Sequence, residues 1–303
     1  MQKSAIAKGA PLRYFSKSGD EKVRDRQVLV GLIGAGIQLS RTPTLHETEA
    51  RRQGVDLKYD LIDLDLMGPT DLAQLIAQKR DQGYAGLNVT YPCKIEALSL
   101  MDVLSESARA VGAINTIVFK EGKAFGHNTD CWGFATSFRA KMAHVAKDRV
   151  LLVGAGGAGA AVGHALADCG VSELFIHDVE PDRAIALTSR IMQNSPNIKV
   201  SAVKTVAAGI AAGIDGLVNA TPMGMAKLPG SPVPRRLLDA QLWVADIIYF
   251  PLETKLLKEA GQVGCTLLSG SGMAVFQAVR AFSLFTGLTP DVVEMVKTFE
   301  SFG

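Results

Sequence analysis

"RVLLVGAGGAGAAVG", Arg149 to Gly163, sets a glycine-rich turn between an apolar run and a helical one. Val150–Val153 is an apolar run of strand length, and "AAVGHALADCG" behind it is helical. Between them Gly154, Gly156 and Gly159 stand at G-x-G-x-x-G spacing. A strand, a glycine turn and a helix in that order form a dinucleotide-binding loop. Gly154 makes the tight turn, Gly156 lets backbone approach a pyrophosphate, and Gly159 lets helix and strand pack closely. The helix N-terminus supplies unpaired N–H groups and the positive end of its dipole. The next strand, "ELFIHDVE", carries Asp178, which lies 178 − 159 = 19 residues past the last glycine. That spacing suits an acid that accepts bonds from a ribose 2′-hydroxyl. Such an acid favours NAD and repels the 2′-phosphate of NADP. Arg183 nearby keeps NADP as the lesser alternative, or stacks on adenine. The blander reading is a Gly/Ala-rich turn with a surface aspartate. Strand, helix and acid together outweigh it.

A second glycine pair, Gly34 and Gly36, lies in "GLIGAGIQLSRTP" (Gly31–Pro43). Leu39 occupies the place of a third glycine, so this is not a second dinucleotide loop. The hydroxyls of Ser40 and Thr42 suit a small anionic or polyhydroxy substrate.

The chain of 303 residues is long enough for two domains. Its 48% hydrophobic and 20% charged residues are those of a soluble globular protein. A formal net charge of +2 gives no reason to expect nucleic acid or an anionic membrane as partner. No apolar run is long enough to span a bilayer. Residues 1–26 are polar and basic, lack a signal-peptide core, and read as a flexible arm. Cys93, Cys131, Cys169 and Cys265 form no C-x-x-C pair, and none lies at metal spacing from a histidine. We therefore expect reduced structural thiols, no metal site and a cytoplasmic location. Strand-length and helical segments alternate from "QVLVGLIG" and "TPTLHETEARRQG" onward, which predicts an α/β protein with parallel sheets. The expected division is a substrate domain over 27–130, completed by 265–303, and a Rossmann domain over 131–264.

Five further stretches carry a resemblance: "NVTYPCK" (Asn88–Lys94), "GAINT" (Gly112–Thr116), "GHNTDCWGF" (Gly126–Phe134), "NATPMGM" (Asn219–Met225) and "GMAVFQAVRAF" (Gly272–Phe282). In this order, around a complete glycine fingerprint, they resemble the shikimate dehydrogenase family. The resemblance implies a Rossmann domain inserted into a substrate domain. It implies Lys94 and Asp130 as the catalytic pair. Thr90, Asn115, Tyr249 and Gln277 would contact the substrate, and Ser40 with Thr42 would bind its carboxylate. Gly154, Gly156, Gly157, Ala158, Gly159, Asp178 and Arg183 would hold the cofactor, together with Asn219, Thr221 and Met223. The family's first motif commonly reads P-I-x-H-S-x-S-P. Here Leu39 replaces histidine and Thr42 the second serine. Thr42 together with Asp178 looks like the NAD-using quinate/shikimate branch, whereas biosynthetic NADP enzymes tend to carry Asn-Arg-Thr after that strand. The implied reaction is reversible oxidation of a ring hydroxyl of quinate or shikimate to the 3-dehydro ketone. It would serve quinate catabolism or aromatic amino acid biosynthesis, by a monomer or homodimer.

Each role has a plainer alternative. Lys94 at a strand end reads by itself as a solvated lysine. Asp130 reads as the cap of the helix "TDCWGFATSFRAKM", Gln277 as an interior amide, and Tyr249 as core. A lysine serves as proton acceptor where burial or positive neighbours lower its pKa, and an adjacent carboxylate works against this. Which of Lys94 and Asp130 holds the transferred proton stays open at this point. So do an amino- or otherwise modified shikimate as substrate and a dinucleotide-sensing regulator.

Overall fold

The structure of the protein is a computed structural model that describes residues 27–302. The arm expected over residues 1–26 lies outside the described residues. The chain forms two compact units. Residues up to Ser105, Ile114–Thr129 and the chain from Gln277 onward make the first; Glu106–Ala113 and Asp130–Phe276 make the second.

The first unit opens with β1 (Val28–Gly34), α1 (Thr42–Arg52), β2 (Leu57–Asp63), the single turn α2 (Leu64–Met67), α3 (Leu72–Asp81) and β3 (Gly86–Val89). Pro43 stands in the first turn of α1, and Asp71 caps α3 by accepting from Ala73 and Gln74 N–H. After β4 (Val103–Leu104), the helix α4 (Glu106–Val111) belongs to the second unit, and β5 (Thr116–Lys120) and β6 (Lys123–His127) return to the first. The sheet order is β2-β1-β3-β5-β6-β4. Here the expectation of parallel strands holds only in part, because β5 pairs antiparallel with both β3 and β6. The β5–β6 hairpin turns at Glu121 and Gly122, with φ of 52° and 75°. Two left-handed residues in a two-residue loop match the twist of the flanking strands.

The connector α5 (Thr129–Lys141) leads into the second unit. Its elements are β7 (Arg149–Val153), α6 (Gly157–Asp168), β8 (Glu173–His177), α7 (Pro181–Asn194), β9 (Lys199–Ala202), α8 (Val206–Ala211), β10 (Gly216–Asn219), β11 (Trp243–Asp246), α9 (Lys255–Val263) and β12 (Thr266–Ser269). All six strands are parallel, in the order β12-β11-β10-β7-β8-β9. This is the doubly wound Rossmann order, and it reverses between β7 and β10. Leu151, Leu152, Leu174, Ile176 and Val218 have no exposed surface. Strands this apolar need helices on both faces, and each such side chain contributes about 1.5–3 kcal/mol by burial. The long helix α10 (Ser271–Thr286) begins in the second unit and ends in the first, where Phe282 and Phe285 join Val30, Leu32 and Tyr59 in the core. α11 (Val292–Glu300) closes the chain, capped by Asp291. Among the described residues no helix is long and apolar enough to cross a membrane.

Candidate active site

The glycine loop after β7 lies where the strand order reverses, the usual ligand position in such sheets. Gly154 has φ +104°, and a Cβ there would stand 2.8 Å from the Ala220 carbonyl group in the loop after β10. A Cβ on Gly159 would stand 2.0 Å from the Gly154 carbonyl oxygen, so this glycine permits the helix–strand approach. Gly156 differs. A Cβ there would meet nothing within 4 Å. Packing within the protein does not require this glycine. It leaves open space before the α6 N-terminus, which no side chain caps. Unclaimed backbone donors beside an open cradle fit a pyrophosphate.

Asp178, just past β8, accepts from Ala155 N–H through Oδ2 at 2.7 Å and from Glu180 N–H through Oδ1 at 2.9 Å. The acid is thereby held toward the glycine loop. Arg183 pairs with Glu180 at 3.0 Å, with both side chains exposed. Such a pair is weak. In the loop after β10, Asn219 Oδ1 accepts from Thr221 N–H at 2.9 Å and Thr221 Oγ1–H at 2.7 Å. Met223 N–H then donates to Thr221 Oγ1 at 3.2 Å. These three predicted cofactor residues therefore form one hydrogen-bonded turn.

In the first unit, Ser40 Oγ–H donates to Thr42 Oγ1 at 3.1 Å, and Thr42 N–H donates to Ser40 Oγ at 3.3 Å. Their loop is pinned by Asp63 at the end of the neighbouring strand, which accepts from Gly36 and Ile37 N–H and from the Gln38 amide at 2.8–3.1 Å. Burial alone would raise the Asp63 carboxyl. The donors from Gln38, Gly36, Asp65 and Ile37 outweigh it and hold the group below the usual value. The Thr90–Lys94 loop crosses directly over Gly34, where a Cβ would stand 2.3 Å from Thr90 Cγ2. The Lys94 carbonyl accepts from Ile114 N–H at 2.9 Å, which sets the lysine beside the Asn115 segment. Asn115 is buried; its Oδ1 accepts from Thr129 N–H at 2.7 Å, and its Nδ2 donates to Thr129 Oγ1 at 2.9 Å. The first unit thus gathers Ser40, Thr42, Thr90, Lys94 and Asn115 on neighbouring loops, and it also carries half-buried Gln277 on α10.

Asp130 follows Thr129 directly. It lies inside the first turn of α5, so the reading of Asp130 as the helix cap is not met. It is 5% exposed. Tyr249 is 43% exposed; burial of the rest and then the charge of Asp130 hold its phenol above the usual value. All four cysteines are free thiols. Burial first, then the carboxylates of Asp168 and Asp130, push the Cys131 thiol up to about 12, so it stays protonated.

Three buried polar residues beside these loops, Asp63 and Asn88 in the first unit and Asp246 in the second, are not singled out by the sequence. Asp63 and Asp246 each end a strand and accept from donors in a loop expected to carry site residues. Asn88 bridges Tyr59 Oη, at 2.7 Å, and Thr116 Oγ1, at 3.0 Å. A polar residue at the carboxyl end of a parallel strand is the signal that finds Asp63 and Asp246.

The doubly wound sheet with its glycine cradle defines a dinucleotide-binding protein of the Rossmann class. Comparison with known proteins narrows this. Residues 32–117 match the shikimate dehydrogenase substrate binding domain. A shikimate dehydrogenase (NADP(+)) of Streptomyces avermitilis is 48% identical over 271 residues, 88% of this chain and 93% of its own. A quinate/shikimate dehydrogenase (NAD(+)) of Corynebacterium efficiens is 44% identical over 279 residues, 90% of this chain and 98% of its own. The solved quinate dehydrogenase of Corynebacterium glutamicum in complex with NAD superposes with a TM-score of 0.84 at 43% identity, covering 91% of this chain and 100% of that one. The chain belongs to the shikimate dehydrogenase family. It is an oxidoreductase acting on a ring alcohol with a dinucleotide cofactor.

Proposed function

We propose that the enzyme oxidises a ring hydroxyl of quinate or shikimate to the 3-dehydro ketone with NAD, using Lys94 and Asp130 as the catalytic pair. The observation that carries the cofactor choice is Asp178, whose carboxylate is held at the glycine loop by Ala155 N–H at 2.7 Å. A 2′-hydroxyl can donate to that carboxylate, whereas a 2′-phosphate would meet its charge. Arg183, paired to Glu180, is a group that favours a phosphate instead.

The nicotinamide, when bound, supplies the hydride acceptor. The residues of this chain bind, orient and move the proton. Because Ser40 donates to Thr42, the Thr42 hydroxyl proton is left to donate to the substrate carboxylate. Thr90, Asn115, Tyr249 and Gln277 orient ring hydroxyls. Lys94 Nζ takes the hydroxyl proton as the hydride leaves. Asp130 holds the ammonium in place and accepts from a neighbouring ring hydroxyl.

The test is absorbance of reduced cofactor with quinate and shikimate, each against NAD and NADP. The reading expects turnover of at least one acid, with kcat/KM about 10- to 100-fold higher for NAD. Preference for NADP would align the chain with its Streptomyces relative and overturn the cofactor assignment. Absence of turnover with both acids would point to a modified shikimate as substrate.

A further inference from the structure

Asp246, at the end of β11, is 1% exposed and has no role in the reaction as described above. Three donors converge on it. Its Oδ1 accepts from Asn219 Nδ2 at 3.1 Å and from Ile248 N–H at 3.0 Å, and its Oδ2 accepts from Thr254 Oγ1 at 2.7 Å. Burial pushes the carboxyl up, and the donors from Thr254, Ile248 and Asn219 oppose this.

The placement of the donors gives this cluster its meaning. Asn219 ends β10, and its other bonds shape the Thr221–Met223 turn in the loop that follows; its Nδ2 also donates to the Met223 carbonyl at 3.2 Å. Ile248 and Thr254 bracket the loop after β11, which carries Tyr249. Thr254 also caps α9, accepting from Leu257 N–H at 3.3 Å. The two loops touch a second time. Gly224 has φ +121°, and a Cβ there would lie 3.1 Å from Ile248 Cδ1 and 3.6 Å from Thr254 Cβ. Ile247 N–H donates to the Asn219 carbonyl at 3.1 Å. An uncharged isostere would leave one donor without an acceptor, because both carboxylate oxygens accept.

We propose that Asp246 is a positioning residue that locks the cofactor-side loop (Thr221, Met223) to the substrate-side loop (Tyr249), so that the two move as one body. This assignment of sides rests on the function proposed above; the locking itself does not. Asp246 touches neither reactant and acts through Asn219 and Thr254.

The test uses the full chain with Asp246→Asn, Thr254→Val and Thr254→Ser. Hydrogen–deuterium exchange is followed over residues 219–226, and kcat, the KM of the ring acid and the Kd of NAD are measured. Thr254→Val alters only the second loop, yet it should speed exchange in 219–226 about 10-fold. It should weaken NAD binding and raise the ring-acid KM together, several-fold each, with Asp246→Asn doing so about 10-fold or more. Thr254→Ser should restore all three to within about twofold. Faster exchange confined to 247–257 overturns the proposal. So does a folded Asp246→Asn enzyme with unchanged constants, or a Thr254→Ser variant no better than Thr254→Val. If Asp246→Asn does not fold, the Thr254 pair decides. If the wild type turns over neither acid, the functional reading fails while the exchange result still judges the lock.

Discussion

His46 gives the first unit a calculable sensitivity to acid. It has no exposed surface, neither ring nitrogen has a hydrogen-bond partner, and it packs among Tyr59, Phe282 and Phe285 at ring separations of 5.1–6.1 Å. Burial lowers its pKa from 6.5 to about 3. The unfolded chain therefore binds a proton between about pH 6.5 and pH 3 that the folded chain refuses. This contribution to stability is present above the unfolded pKa and is lost as pH falls through that window. Between about pH 7 and pH 5 the lost stability is RT times the change in ln(1 + 10^(6.5 − pH)), or about 2 kcal/mol. His46→Leu keeps similar volume and removes two unpaired polar atoms, each costing about 1–3 kcal/mol when buried. The variant should be no less stable than the wild type at neutral pH, and its advantage should grow by about 2 kcal/mol on going to about pH 5. Both tryptophans, Trp132 and Trp243, lie in the second unit. The assay should therefore follow exchange protection of the β1 and β2 amides instead of tryptophan fluorescence. A wild-type-to-variant gap that stays constant across this pH range would mean that His46 does not titrate with folding.

Two further outcomes follow from the site. Gly156→Ala should leave the melting temperature within a few degrees but weaken NAD binding at least about 10-fold, whereas Gly159→Ala should lower both; isothermal titration and thermal melts separate the two cases. Lys94→Ala should cut kcat by orders of magnitude with a small change in substrate KM, and near-normal turnover would remove Lys94 from the mechanism.

What the sequence disclosed follows from what each residue needs. The demands on Gly154 and Gly159 are local, a left-handed turn and a missing Cβ, and local demands show in spacing. The roles of Asp63, Asn88 and Asp246 depend on partners 25 to 29 residues away, as in Gln38–Asp63, Asn219–Asp246 and Tyr59–Asn88. Only the pairing of β1 with β2, β10 with β11 and β1 with β3 brings those partners together. The β5–β6 hairpin escaped notice because its turn is Glu121-Gly122, without the Asn-Gly or Asp-Gly signature. Arg183 is assigned to the cofactor from its position in the chain alone, and its pairing with Glu180 appears only in the structure.

Asp178→Ala shows whether Asp178 selects NAD as the cofactor. The ratio of kcat/KM for NAD over NADP is measured for both proteins with whichever ring acid is turned over. Loss of about 2 kcal/mol of discrimination corresponds to a fall in that ratio of about 30-fold. A ratio that stays within about twofold of wild type would mean that Asp178 does not select the cofactor.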